Sequence, residues 1–188
     1  VAMKNYVDVE GSGQDITTIK CACSTNGAPD ASSAVISAGA ITAEIRHLTI
    51  NNTGSSNDYS FGVYTNGVAD ESFSMLHVTA TATGVFDNYG VYNESSSPSM
   101  NNVTATATDG TNNYGVNNSS SSSPSMNNVT ATATGGTNSR GVYNSSSSPT
   151  MTDVTATATG GTNNYGVYNE SSSSSIRNSS ITGTTNSI

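Results

Sequence analysis

Along most of the chain the apolar residues fall on alternate positions, which is the period of a β-strand and not the 3.6-residue period of a helix. In Val103-Thr104-Ala105-Thr106-Ala107-Thr108, one face carries Val, Ala and Ala and the other carries three Thr. Small Ala inside and β-branched Thr outside suit a half-buried pleated surface. The Gly-Val-Tyr segments predict a second strand, with Val91, Val116, Val142 and Val167 turned inward. Met100, Met126 and Met151, matched by Met75, Ile45 and Ile176, predict another buried column after each Ser-Pro loop. No window combines helical spacing with good helix formers. The Ser-Pro runs and the Gly-Gly-Thr-Asn stretches between strands are turn chemistry.

The pattern recurs on a fixed beat. Val-Thr-Ala-Thr-Ala-Thr begins at Val78, Val103, Val129 and Val154, with spacings of 25, 26 and 25 residues. Gly-Val-Tyr-Asn or a close variant begins at Gly62, Gly90, Gly115, Gly141 and Gly166, spaced by 28, 25, 26 and 25. Degenerate copies at 45–54 and 176–185 align with 75–84 and 151–160. The unit is one supersecondary coil of about 25 residues. Strands repeating at this interval with no helix between them can each pair with the equivalent strand of the next coil. The sequence therefore predicts an all-β fold, a parallel β-solenoid of about seven coils. A single domain covers 1–188, with irregular coils over 1–44 and regular rows over 45–188. One coil cannot bury its own apolar face, so stacking is compulsory. The chain opens in strand-like sequence at Val1 and stops inside a row at Ile188. It reads as a segment of a larger surface protein, or as a unit whose coil ends self-associate into a fibre.

Composition changes this picture less than it first suggests. Hydrophobic residues make up 33% and charged ones 10%, shares that often mark disorder. The two coincident markers decide for a folded repeat instead. The net charge is −8, with 5 Lys+Arg and no basic stretch, so the electrostatic footprint of nucleic-acid binding is missing. No apolar run approaches the roughly 20 residues that span a bilayer. Cys21 and Cys23, the only two cysteines, point the same way in an extended strand. That is poor geometry for a mutual disulfide, and it leaves free or intermolecular thiols open.

The N-terminal stretch Val7-Asp8-Val9-Glu10-Gly11-Ser12-Gly13, leading into Thr17-Thr18-Ile19, resembles an early coil of the pectin-lyase-like right-handed β-helix superfamily. The later rows resemble the degenerate β-helix repeats of large bacterial extracellular proteins. The resemblance implies a right-handed parallel β-helix and an extracellular or cell-surface location. Superfamily enzymes that act on pectin carry clustered Asp on adjacent coils, and this pattern is not carried over. Asp87, Asp109 and Asp153 occupy unlike row positions, and Glu94 and Glu170 stand three coils apart. At roughly 4.8 Å per coil that separation is about 14 Å, beyond the roughly 5 to 10 Å of paired-carboxylate chemistry. Asp8, Glu10 and Asp15 read as a solvated turn. The expectation is a non-catalytic structural and interaction module with no cofactor and no assigned metal site. His47 and His77 share a row position and read as an exposed, stacked pair.

Two arrays are candidate interaction sites. Thr79, Thr81 and Thr83 stack over Thr104, Thr106 and Thr108, then Thr130, Thr132 and Thr134, then Thr155, Thr157 and Thr159. The resulting grid of hydroxyls and methyls resembles the Thr-x-Thr faces of β-solenoid ice-binding proteins. Its plainer reading is that Thr suits an exposed parallel sheet, with Asn51 and Ser180 breaking the outer rows. Tyr64, Tyr92, Tyr143 and Tyr168 form one column, and Tyr89, Tyr114 and Tyr165 another. They could stack on a glycan or other surface ligand, or on each other where Asn117 and Arg140 permit. Asn93, Asn118, Asn144 and Asn169 predict an amide ladder. Triplets such as Asn93-Glu94-Ser95 and Asn128-Val129-Thr130 match the glycosylation pattern, which a chain this rich in Asn, Ser and Thr yields by chance.

Overall fold

The structure is a computed structural model that describes residues 1–54, 58–67 and 72–185. In chain order its strands are β1 (Val9–Glu10), β2 (Thr18–Cys21), β3 (Ala34–Ala38), β4 (Ala43–Asn52), β5 (Tyr59–Asn66), β6 (Phe73–Thr83), β7 (Asp87–Glu94) and β8 (Ser99–Thr108). The chain continues through β9 (Asn112–Ser119), β10 (Ser125–Thr134), β11 (Asn138–Ser145), β12 (Thr150–Thr152), β13 (Thr155–Thr159), β14 (Asn163–Glu170), β15 (Ser175–Arg177) and β16 (Ser180–Gly183). Among the described residues, helix is confined to the 3-10 turn Ala31–Ser33, where Asp30 accepts from the Ser32 N–H.

Every pairing between these strands is parallel. One sheet follows the order β1-β4-β6-β8-β10-β12-β15, with β2, β13 and β16 completing its first and last rows; the other runs β14-β11-β9-β7-β5-β3. The architecture is the right-handed parallel β-helix, with about six turns where the repeat count predicts about seven. The difference lies at the ends, where the first and last rows are built only on the larger sheet or are split into short strands.

Left-handed backbone turns the coil. His47, His77, Asn102, Asn128, Asp153 and Asn178 all lie at φ between 49° and 54°, one per row. Each bends its row between the Met column and the Thr stretch, so one continuous sheet supplies two sides. Asn, Asp and His are the side chains that tolerate this region best. The Ser runs make a second corner through Ser95, Ser146 and Ser171. The one-residue insertion in the coil after Gly115 is absorbed there by two consecutive left-handed residues, Ser120 and Ser121. Register on both flanking sheets is unbroken, with Asn118↔Asn144 and Ser125↔Thr150 paired.

The interior is assembled column by column. Met75, Met100, Met126 and Met151 are 0–1% exposed, as are Val78, Val103, Val129 and Val154. Each such side chain contributes about 2 kcal/mol of burial, and a row supplies only a few, so stability accumulates by stacking. The inward Ala residues answer a geometric demand of the opposite wall. At Gly115 an added Cβ would lie 2.6 Å from both Gly141 O and Thr132 N. The two sheets meet there backbone to backbone, leaving room for methyl groups and nothing larger. The predicted amide ladder runs beside this contact. Asn93 donates to Asn118 at 2.8 Å, Asn118 to Asn144 at 2.9 Å and Asn144 to Asn169 at 2.8 Å, with Thr65 entering the ladder at 2.8 Å.

The cysteines differ from the sequence expectation. Cys21 and Cys23 bring their sulfurs together, with Cα atoms 5.4 Å apart, because β2 ends at Cys21 and the chain bends. The buried Asn52 carboxamide holds that bend: its Oδ1 accepts from Cys23 N at 3.0 Å, and its Nδ2 donates to Cys23 O at 2.8 Å.

Candidate functional site: the threonine face and the tyrosine slab

The Thr columns lie in register without a slip. Thr79↔Thr104, Thr81↔Thr106 and Thr83↔Thr108 pair between β6 and β8, and the same three ranks continue through β10 to Thr155, Thr157 and Thr159 in β13. Their Ala neighbours are fully buried, whereas the Thr side chains are half-buried to exposed and face outward. With parallel strands about 4.8 Å apart and alternate residues about 6.6 Å apart, the Thr positions form a near-rectangular lattice. The first rank extends to Thr49 and Thr18 on one side and to Ser180 on the other. The middle rank extends to Thr182 at one end, and at the other it passes to Asn51 and then Lys20. The grid thus gives way to an amide and a cation at its N-terminal border.

The tyrosines line the outer surface of the smaller sheet and pack on one another. The columns are Phe61↔Tyr89↔Tyr114↔Arg140↔Tyr165 and Tyr64↔Tyr92↔Asn117↔Tyr143↔Tyr168. Ring centroids lie 4.7 Å apart for Tyr89–Tyr114, 5.1 Å for Tyr89–Tyr92 and 5.5 Å for Tyr64–Tyr92. Tyr64, Tyr89, Tyr92 and Tyr114 are only 5–8% exposed. Ring faces in the N-terminal half of the slab are therefore occupied by other rings and are not free for a sugar; Tyr143 and Tyr168 are half-buried.

Where Arg140 replaces a ring, its guanidinium takes the ring's place. It lies 4.8–5.3 Å from the centroids of Tyr114, Tyr143 and Tyr168 and donates to the Tyr114 hydroxyl at 2.9 Å. Asn117 Oδ1 and Arg140 Nε are buried there without a hydrogen-bond partner.

The acidic residues that spacing could not bring together are used singly. Glu94 accepts from the Tyr64 hydroxyl and Glu170 from that of Tyr143. Burial, aided by those carboxylates, pushes both phenols above their ordinary range. Tyr89, Tyr92 and Tyr114 are raised first by burial as well. Asp87 accepts from Asn112 at 2.6 Å and terminates an outer amide ladder fed by Asn138 and Asn163. Burial raises its carboxyl, opposed by the Asn112 hydrogen bond.

Sequence spacing missed one cluster. Glu10 pairs with Arg46 across β1 and β4 at 3.0 Å, and Glu44 engages the same guanidinium. Arg46 occupies a position that later rows give to Leu76 and Asn101, so the repeat hides it. Asp8, grouped with Glu10 by sequence, instead accepts from the Glu44 N–H at 2.7 Å. Two shallow clefts open near these first rows. One of about 390 Å³ is bordered by Tyr6, Asp8, Thr42 and Glu44, and one of about 320 Å³ by Asp30, Ser37, Tyr64 and Asn66.

The fold defines a β-solenoid repeat protein. No protein-family model matches the chain, and no curated protein matches it.

Proposed function

We propose that this protein is a non-catalytic, extracellular or cell-surface structural and interaction module. Its mechanism is rigid display: a stiff rod holds a periodic surface in fixed register against a partner or a second copy. The observation that carries this reading is the outward Thr lattice, paired residue for residue from β6 to β13. Buried amide ladders fix the same rows from within. A lattice of this kind acts through repetition, so its affinity for a periodic or multivalent surface grows with every row engaged. Kinship to the pectin-lyase-like superfamily belongs to the same proposal and rests on the coil architecture and the Glu10-Gly11-Ser12-Gly13 turn.

One observation favours a second reading. The twelve-Thr grid carries no charged side chain within its three ranks, and every position brings the same small side chain, one hydroxyl and one methyl, to a regular surface. Such an array can order water into an ice-like layer. Electron microscopy of the purified protein beside an ice-crystal growth assay on the same sample separates the two. Filaments with an axial repeat of about 4.8 Å and unaltered ice support the structural module. Monodisperse particles that facet or arrest ice overturn it in favour of ice binding. In that case Thr106→Leu and Thr132→Tyr remove the effect on ice while the fold persists; full activity in both variants refutes the Thr face as the binding surface.

A further inference from the structure

His47 in β4 and His77 in β6 occupy the corner where each row turns from the Met column to the Thr face. Both are left-handed, at φ 54° and 50°. Their neighbours are in register on either side, Arg46↔Leu76 and Leu48↔Val78. The two side chains therefore leave the corner in the same direction. Their rings lie face to face, with centroids 5.0 Å apart and planes within 14°. In such a pair, like nitrogens are separated by about the ring spacing. A late transition-metal ion holds each imidazole nitrogen at about 2.0–2.1 Å, so two ligands of one ion stand no more than about 4 Å apart. Side chains from neighbouring rows would serve as cis ligands, whose nitrogens stand about 3 Å apart at such bond lengths. Binding therefore turns both rings about their side-chain torsions until the nitrogens converge, exchanging the stacked arrangement for the metal bonds.

The surroundings admit an ion. His77 is exposed and His47 half-buried, leaving room for water at the remaining coordination positions. The neighbouring cation, Arg46, is already engaged by Glu10 and Glu44. We propose that His47 and His77 form a two-imidazole site for a divalent late transition-metal ion, Cu²⁺, Ni²⁺ or Zn²⁺, which clamps the β4 row to the β6 row. Among the described residues no group of three or more His, Cys, Asp or Glu gathers to hold a metal, so water completes the coordination. Affinity follows the imidazole preference of these ions, tightest for Cu²⁺. The site lies at the border of the Thr lattice and does not depend on what that lattice binds.

The fold itself supplies the control. The next rows carry Asn102 and Asn128 at the same corner, at φ 53° and 50°. His47→Asn and His77→Asn therefore install a residue the corner already accepts, and circular dichroism checks that both variants fold. The full chain is titrated with Cu²⁺ and followed by electron paramagnetic resonance, and with Zn²⁺ followed by calorimetry and imidazole NMR. The expected result is one ion per chain, with two nitrogen ligands in the Cu²⁺ spectrum. Each single substitution weakens binding by at least about tenfold, the loss that removal of a mere outer-shell partner already causes. Zn²⁺ raises the unfolding midpoint of the wild type and leaves that of either variant unmoved. Equal affinity in wild type and variants, a single-nitrogen Cu²⁺ signal, or a midpoint shift that survives in His77→Asn would each overturn the site.

Discussion

Replacing Asn118 with Ala tests whether the inner amide ladder holds the coils in register. Asn118 is fully buried; its Oδ1 accepts from Asn93 at 2.8 Å and its Nδ2 donates to Asn144 at 2.9 Å. Truncation leaves one donor, Asn93 Nδ2, and one acceptor, Asn144 Oδ1, unpaired in the interior, since Asn93 Nδ2 keeps just a weak contact to the Met100 sulfur at 3.8 Å while its Oδ1 still accepts from Thr65. Each orphaned buried group costs about 1–3 kcal/mol, so the expected loss is about 4 kcal/mol. In a chain of this size that lowers the thermal midpoint by roughly 10 °C. Asn169→Ala is the internal comparison. Asn169 is half-buried at the last rung, where its principal ladder partner is the Asn144 amide. It should lose about half as much. Urea denaturation followed by circular dichroism gives both values. An Asn118→Ala variant within about 0.5 kcal/mol of wild type, the range of an inert surface change, would refute the ladder as a source of stability.

Three further outcomes follow from the same geometry. Gly115→Ala drives a Cβ against two backbone atoms at 2.6 Å, whereas Gly135→Ala meets nothing within 4 Å and bears only the strain of φ 86°. The first should lose about 3 kcal/mol or more and the second about 1–2 kcal/mol; equal denaturation midpoints would contradict the close sheet contact. Asp87 has its carboxyl raised chiefly by burial, so its protonated form favours the fold and this contribution is lost as pH rises through its titration. Asp87→Asn supplies the residue of the Asn112, Asn138 and Asn163 column and should raise stability at neutral pH, with the gain vanishing in acid. A pH-independent difference would count against burial as the cause. The slab tyrosines are likewise raised by burial, so their stabilisation is intact below the ordinary phenol range near 10 and lost above it. Phenolate absorbance should therefore rise together with loss of the β-sheet signal, and ionisation of Tyr89, Tyr92 and Tyr114 in a still-folded chain would show that the slab is open to solvent.

The sequence by itself determined the coil. Alternation in Val103–Thr108 set the strand and its inward face, and the coincident 25-residue beat of two markers set parallel stacking. From those two facts the Thr columns, the Tyr columns, the Asn ladder and the His pair all followed as row positions, because identical rows in register place identical residues above one another. Tertiary structure decided what a row position cannot express. Whether Tyr faces are open depends on ring tilt and on how Arg140 settles across three rings. Whether Gly115 is a flexible joint or a contact point depends on how closely the second sheet approaches. The Glu10–Arg46–Glu44 cluster joins segments of unlike sequence, and the meeting of Cys21 with Cys23 turns on a bend fixed by Asn52 from another strand. Periodicity specifies neighbours along the axis of the rod; distances across its section are set by packing, which a one-dimensional pattern does not contain.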